Sequence, residues 1–309
     1  MEHLTTENLK GTWGTLLLPV NHDNSIDFKE LEYEIDYLVD AKMDGIYSNG
    51  TAGEFYNQTE NEFDKIQDLL SAKCKAVNMR FQIGASHPSP IVSLERITRC
   101  TALQPDGFQV ILPDWVATNA EEQVDFLHKC AEAAGEIPLI LYHPPHAKVT
   151  LKPADFSRIK EQVPEIIGIK VGWGVSQWFE EMRLHASGLA VFVPGHFLAT
   201  GIKEKFASGS YSNMACLSPK GSLWWWQLMQ TDLDSALEVQ GRIKLFLDEF
   251  ITPLVNAGFS NPALDKFLAA VGGWSNVGTR LRWPYKWVDE TSILATRKKV
   301  ALLLPEFFQ

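Results

Sequence analysis

The chain has 309 residues, of which 28 are basic and 38 acidic, for a formal charge of −10. Hydrophobic residues make up 45% and charged residues 21%, the composition of a folded globular protein with material for a large core. The acidic balance, with no basic run longer than Arg297-Lys298-Lys299, excludes the footprint of a nucleic-acid binder, and no apolar stretch reaches the ~18 residues of a membrane span.

Apolar, β-rich runs predict eight strands, at Gly14–Val20, Gly45–Ser48, Arg80–Gly84, Gly107–Leu112, Pro138–Tyr142, Ile166–Val171, Ala190–Val193 and Ser210–Met214. They are almost continuously apolar, as strands buried on both faces are. Helical patterns fill the gaps. Leu31, Ile35, Leu38 and Val39 form one stripe, and Asp27-x-x-Glu30 and Thr59-x-x-Glu62 read as capping boxes. Further helices fit Pro90–Leu103, Ala120–Ala134, Pro153–Val163, Ser176–Ala186 and Ala199–Ala207. Eight β–α units in series predict a closed (β/α)8 TIM barrel over residues 1–230. An open doubly wound sheet fits less well, because no G-x-G-x-x-G follows a strand. The remainder, 231–309, is expected to form a helical extension packed on the barrel, with helices at Leu233–Ile251, Pro262–Val271 and Thr291–Leu304.

Cys74, Cys100, Cys130 and Cys216 lie far apart without a CxxC pair, so they read as reduced core thiols. Met1 to Lys10 is polar and lacks the apolar region of a secretory leader, and a cytoplasmic location is expected.

Active sites of such barrels lie at the C-terminal ends of the strands. The second strand ends in Gly50-Thr51-Ala52-Gly53-Glu54, a turn whose free N–H groups can hold a carboxylate beside the Thr51 hydroxyl. The third ends near His87 and the fourth in Pro113-Asp114-Trp115. The fifth ends in Tyr142-His143-Pro144-Pro145-His146, the seventh in Pro194-Gly195-His196, and the eighth carries Tyr211 and Asn213. The sixth carries Lys170 at the end of an apolar run. Burial lowers a lysine's pKa and frees the neutral amine that a Schiff-base nucleophile needs, and Tyr142 on the neighbouring strand can move its protons. Taken singly, each feature also has a plain structural reading: a snorkelling lysine, a satisfied core tyrosine, a tight turn. His143-x-x-His146 lacks a third ligand at diagnostic spacing, so no metal is expected. Trp115 and Trp173 are candidate pocket walls, whereas Trp224-Trp225-Trp226 reads as helix packing.

Together these segments resemble the dihydrodipicolinate synthase/N-acetylneuraminate lyase family. Its Gly-Thr-Thr-Gly-Glu turn is similar to Gly50–Glu54, its Tyr-Asn-x-Pro to Tyr142-His143-Pro144-Pro145, and its Gly-x-Lys to Gly168-Ile169-Lys170. Asn261-Pro262-Ala263 with Lys266, then Leu281-Arg282-Trp283-Pro284, resembles its C-terminal segment, so the likeness spans nearly the whole chain. The resemblance implies a lyase acting through an imine of Lys170 with pyruvate or a related 2-oxo acid, with no other cofactor. Tyr142 would move protons, Thr51 would hydrogen-bond Tyr142, and the Thr51–Ala52 backbone would hold the carboxylate. Gly53, Asp114, Trp115, His143, Gly195 and Tyr211 complete the expected substrate site, and a homo-oligomer, tetramer or dimer, is implied.

The departures narrow the reaction. Ala52 replaces a hydroxyl residue. Pro113-Asp114-Trp115 replaces the Pro-Tyr-Tyr whose tyrosine completes a proton relay, so Asp114 or a water would have to take that role. No arginine follows the Tyr142 segment, and Tyr211 replaces a small aliphatic residue. These features favour aldol cleavage or condensation of a hydroxylated or aryl-substituted 2-oxo acid, with an aldehyde as second partner. The alternatives are a 2-keto-3-deoxy sugar acid dehydratase, the synthase proper, and a barrel that binds a 2-oxo acid without turning it over.

Overall fold

A computed structural model describes residues 3–308. The barrel alternates β1 (Gly11–Thr15), α1 (Phe28–Asp40), β2 (Gly45–Ser48), α2 (Glu60–Ala76), β3 (Phe81–Gly84), α3 (Pro90–Cys100), β4 (Gly107–Val110) and α4 (Ala120–Ala134). It continues with β5 (Leu139–Tyr142), α5 (Pro153–Gln162), β6 (Ile166–Lys170), α6 (Ser176–His185), β7 (Ala190–Phe192), α7 (Leu198–Lys203) and β8 (Gly209–Tyr211). All strands are parallel and β8 closes on β1, so the expected (β/α)8 barrel is the fold. Then come α8 (Asn213–Leu217), α9 (Pro219–Thr231), α10 (Leu233–Phe246), α11 (Thr252–Asn256), α12 (Asn261–Gly272) and α13 (Ile293–Leu303). Among the described residues no helix is long and apolar enough to cross a membrane.

The end strands depart from the sequence-based expectation. The first strand begins earlier, at Gly11, and ends at Thr15. The last ends at Tyr211, so that Asn213 opens α8. Leu16–Leu18 carry the apolar run past the first paired segment, and the buried Met214–Leu217 after the last one belong to α8, so hydropathy alone cannot place either boundary. At Thr59-x-x-Glu62 the full capping box forms. At Asp27 only half of one does: Asp27 accepts from Lys29 and Glu30 N–H, while the Glu30 carboxylate turns to Asn276 N–H.

Two cores follow from strand alternation. Side chains such as Ile46, Ile83, Phe108, Val110, Leu141 and Ile169 point outward to the helices. Leu9, Trp13, Tyr47, Ile140, Phe192 and Tyr211 fill the barrel interior. The interior is set by a bulge in the β5–β6 ladder. Leu139 pairs with Ile166 but Ile140 with Gly168, so one extra residue enters β6 and Tyr142 pairs with Lys170. Without it Tyr142 would face Ile169, and amine and phenol would lie on opposite sides of the sheet. All four cysteines are buried free thiols, and Trp225 is buried with its indole N–H on Ala236 C=O, so the tryptophan run packs helices.

The turn after β2 is fixed by charge. Glu54 adopts a left-handed backbone (φ 51°), unfavourable for a residue with a side chain. Its carboxylate accepts from Lys266 Nζ of α12 (2.9 Å) and from Arg282 N–H (3.0 Å), and both ionic side chains are fully buried. Lys266 also donates to Arg280 C=O. Breaking a buried pair strands the remaining charge, which costs about 3–5 kcal/mol, whereas removing both charges costs much less. Accordingly, Glu54→Gln and Lys266→Met should each lower the unfolding free energy extracted from urea melts by about that amount. The double variant Glu54→Leu/Lys266→Met should recover most of it, measured by far-UV circular dichroism.

Candidate active site

A cavity of about 680 Å³ opens above the C-terminal ends of the strands, with Lys170 and Tyr142 among its lining residues. Lys170 Nζ lies 4.0 Å from the centre of the Tyr142 ring, 5.2 Å from that of Tyr47 and 5.4 Å from that of Tyr211. The amine thus has three aromatic rings around it and opens only to the cavity. Burial pushes its pKa down to about 8, against the opposing pull of the Asp265 carboxylate. Tyr142 is pushed up to about 12 by burial, and its hydroxyl lies 3.3 Å from Thr51 Oγ1. An uncharged phenol hydrogen-bonded to a hydroxyl, beside an amine poised to lose its proton, is a proton-shuttling arrangement.

The turn carrying Thr51 spends the N–H groups of Gly53 and Glu54 on Gly50 and Thr51 carbonyls. Those of Thr51 and Ala52 have no partner within the turn, and both residues line the cavity. Two adjacent free N–H groups near a cationic amine suit a carboxylate. Gly84 lets this turn settle onto β3, since a Cβ there would collide with the Asn49 and Ser48 carbonyls. Gly53 sits behind the turn, packed against Asn49 and the Leu16 carbonyl, outside the cavity lining.

Tyr211 lines the cavity next to Lys170. Its hydroxyl donates to Gln82 Oε1 (2.6 Å) and its ring packs on Phe192 (4.5 Å) and Tyr47 (5.0 Å). Burial holds the phenol well above its ordinary pKa, so it stays protonated and committed to Gln82. Gly195 is buried against the Ser212 and Asn213 side chains and supports the wall without lining it. Its neighbour His196 does line it. Asn213 Nδ2 lies 3.0 Å from His196 Nδ1, which leaves the proton of the neutral ring on Nε2, and burial lowers the pKa of that ring.

Besides Gly53 and Gly195, three more residues expected at the substrate lie outside the cavity lining. Asp114 accepts from Lys148 N–H (2.6 Å), and the Trp115 carbonyl from Lys148 Nζ (2.8 Å). The Trp115 ring is 82% exposed under that lysine. His143 turns away from the amine. Its Nε2 accepts from Leu151 N–H and its ring lies against Phe156, in a separate small cavity. Position at a strand end fixes where a side chain starts, not which way it points, and here local hydrogen bonds decide the direction. His87 is likewise engaged with Ser89 N–H, whereas Trp173 does line the cavity, stacked on Phe197 (4.5 Å).

The helical extension supplies walls that the strand-end reading left out. Asn261, Leu264, Asp265 and Leu268 of α12 recur at i, i+3, i+4 and i+7 and present one face to the cavity. From α10, Leu237, Gln240, Gly241 and Lys244 do the same, and a π-helical stretch at Leu247–Ile251 carries that face onward to Thr252 and Val255. Asp265 is the functional candidate missed at the sequence level. The available signal was a charged pair, Asp265-Lys266, inside an otherwise apolar helix: charges there need partners, and among the described residues only Lys266 has one.

The chain belongs to the dihydrodipicolinate synthetase family, whose model matches residues 8–212. That family is one of lyases and aldolases, and this protein is an enzyme of that kind. It is 26% identical over 272 residues to the 4-hydroxy-tetrahydrodipicolinate synthase of Prochlorococcus marinus (strain MIT 9303), covering 86% of each chain. To the trans-O-hydroxybenzylidenepyruvate hydratase-aldolase of Sphingobium xenophagum it is 25% identical over 312 residues, covering 94% of this chain and 92% of the relative. The crystal structure of N-acetylneuraminate lyase from Fusobacterium nucleatum superposes with a TM-score of 0.82 at 19% identity, over 98% of this chain and 100% of that one.

The electrostatics make one prediction independent of substrate. Lys170 should react with a small amine-directed acylating reagent at a rate that rises with pH and levels off above about 8, as the neutral amine becomes dominant. The Asp265 carboxylate favours the ammonium form, so Asp265→Asn should move that midpoint to lower pH. The charged or titratable groups that bear on the amine are Asp265 and Cys216, with the phenols of Tyr47, Tyr142 and Tyr211 around it. Peptide mapping of the acylated lysine against pH measures the midpoint.

Proposed function

We propose that the protein is a Schiff-base lyase that condenses Lys170 with pyruvate or a related 2-oxo acid and makes or breaks the bond between carbons 3 and 4. The observation that carries this reading is the desolvated Lys170 amine at the cavity, paired in register with Tyr142, which hydrogen-bonds Thr51. The neutral amine attacks carbon 2 of the oxo acid. Tyr142, relayed through Thr51, delivers the proton that lets the carbinolamine oxygen leave as water. The substrate carboxylate sits on the Thr51 and Ala52 N–H groups. The Tyr142 phenolate left by that transfer then takes the proton of the C4 hydroxyl, the protonated imine accepts the electron pair of the C3–C4 bond as the aldehyde departs, and the enamine is reprotonated at carbon 3. The imine is itself the electron sink, so this chemistry needs no external cofactor.

The second partner is read from the cavity beyond the amine. Its walls there are mixed, with Trp173, Phe197, Leu237 and Leu264 beside His196, Asn213 and Asn261. That surface suits an aldehyde with an apolar body and one or two hydroxyls, in line with the hydratase-aldolase named among the relatives. Dehydration of a hydroxylated 2-oxo acid uses the same imine and stands as the second reaction. The synthase reaction fits less well, because no arginine lines the cavity. Assembly as a homo-oligomer belongs to the same reading.

Incubation with pyruvate followed by borohydride reduction should yield a single stable adduct mapped by mass spectrometry to Lys170 and absent from Lys170→Ala. An unmodified wild-type protein, with pyruvate and with longer 2-oxo acids alike, refutes the reading. Tyr142→Phe should still form the adduct, but at a rate reduced about 10²–10⁴-fold, the range for loss of a positioned acid–base group. Stopped samples reduced at successive times measure that rate.

A further inference from the structure

We infer that Asp265 is the base that removes a proton from carbon 3 of the substrate once the imine has formed on Lys170. This assignment rests on the imine reading above and adds a group to it. Tyr142 and Thr51 are placed for protons at the amine and carbon 2, where Tyr142 is the residue paired with Lys170. Enamine formation needs an acceptor at carbon 3, and the barrel strands do not supply one. Tyr211 has committed its hydroxyl to Gln82. His196 has Nδ1 occupied by Asn213 and its proton on Nε2. Asp114, the acid expected to replace the missing relay tyrosine, is bound to Lys148 N–H outside the cavity. Asp248 also lines the cavity but is exposed to solvent.

Asp265 and Lys266 are neighbours on α12 that point differently: Lys266 goes to Glu54, and Asp265 goes to the cavity. Among the described residues its carboxylate makes no hydrogen bond and no ion pair, and it stands too far from Lys170 for direct pairing. Half-buried at the cavity wall with no protein donor, the carboxylate has its lone pairs available to a bound molecule. The Lys170 field nonetheless reaches it, holding down a pKa that burial raises to about 7. That is the range in which a general base works best near neutral pH.

The step balances within the site. The C3–H bond breaks, and its electron pair forms the C2–C3 double bond while the C=N π pair returns to nitrogen. The proton passes to the Asp265 carboxylate. A cationic imine and an anionic carboxylate become a neutral enamine and a neutral acid, so the low-dielectric cavity favours the transfer. The fixed charge of the imine also keeps Asp265 ionised until the proton moves.

The test uses pyruvate alone. Wild type, Asp265→Asn and Asp265→Glu are incubated with pyruvate in D2O, deuteration of the methyl group is followed by NMR, and the same samples are trapped with borohydride. Asp265→Asn should keep the Lys170 adduct while enzyme-dependent deuteration falls at least 100-fold, and Asp265→Glu should restore part of it. Because the carboxylate has no hydrogen bond or ion pair among the described residues, its replacement removes none, and the melting temperature of Asp265→Asn should equal or exceed that of wild type. Exchange by Asp265→Asn within threefold of wild type overturns the assignment. Parallel loss of adduct and exchange also overturns it, since the carboxylate would then act at imine formation. A wild-type protein that forms no adduct fails the imine reading itself, a result distinct from loss of exchange in the variant alone.

Discussion

The site depends on holding one amine among aromatic rings at the end of an apolar strand. Lys170 ends a strand whose other residues are apolar, and the closed barrel leaves its side chain no route to solvent except through the cavity. Tyr47, Tyr142 and Tyr211 present ring faces to it. Aromatic faces attract a cation and so recover part of the desolvation cost without giving the amine a carboxylate partner. A direct ion pair would have held Lys170 protonated. The aromatic surround tolerates the ammonium while leaving the neutral form within reach near pH 8.

Holding that balance requires rigid neighbours, and charge pairing appears where rigidity is needed rather than where chemistry occurs. The Glu54–Lys266 pair ties the strained turn after β2 to α12. One end of this link positions Thr51 and Ala52, and the other orients the helix that carries Asp265. The two walls of the cavity, one from the barrel and one from the extension, are therefore joined by the most deeply buried ionic contact of the described residues. The extension is part of the site, not only a support for it. The Tyr211–Gln82 hydrogen bond, with Gln109 beside it, serves a similar purpose in the barrel interior, fixing a phenol that would otherwise be free to pair with the amine.

Legibility in the sequence followed the directness of the physical signal. Eight apolar runs separated by amphipathic helices specify a barrel because each run must be covered on both faces. Lys170 and Tyr142 stood out at the ends of apolar runs and Thr51 in a Gly-bounded turn, but it was the family resemblance that joined the three, and the structure brings them together. Asp114, Trp115 and His143 were legible only as positions. Their directions are set by Lys148 and Leu151, residues far enough along the loops that no spacing rule connects them. Asp265 was hidden for another reason. Pro262, Ala263, Leu264, Lys266, Phe267, Leu268, Ala269 and Val271 are all buried, so α12 has no polar face from which its orientation could be deduced. Only the packed structure shows that Asn261, Leu264, Asp265 and Leu268 form the stripe over the cavity.

The same geometry weighs against a barrel that merely binds a 2-oxo acid. Recognition of a small carboxylate needs donors, and a lysine serves best for that when it is charged and accessible. Here the lysine is driven towards its neutral form, and an acid on the facing wall is driven towards its protonated form. Each arrangement costs folding free energy that a paired or solvated group would not, and neither improves binding of the ground state. Groups held near neutrality in opposite senses at one cavity are instead what proton transfer at pH 7 demands, because each can change charge at little further cost. The instability built into this corner of the barrel is intelligible as the counterpart of reactivity.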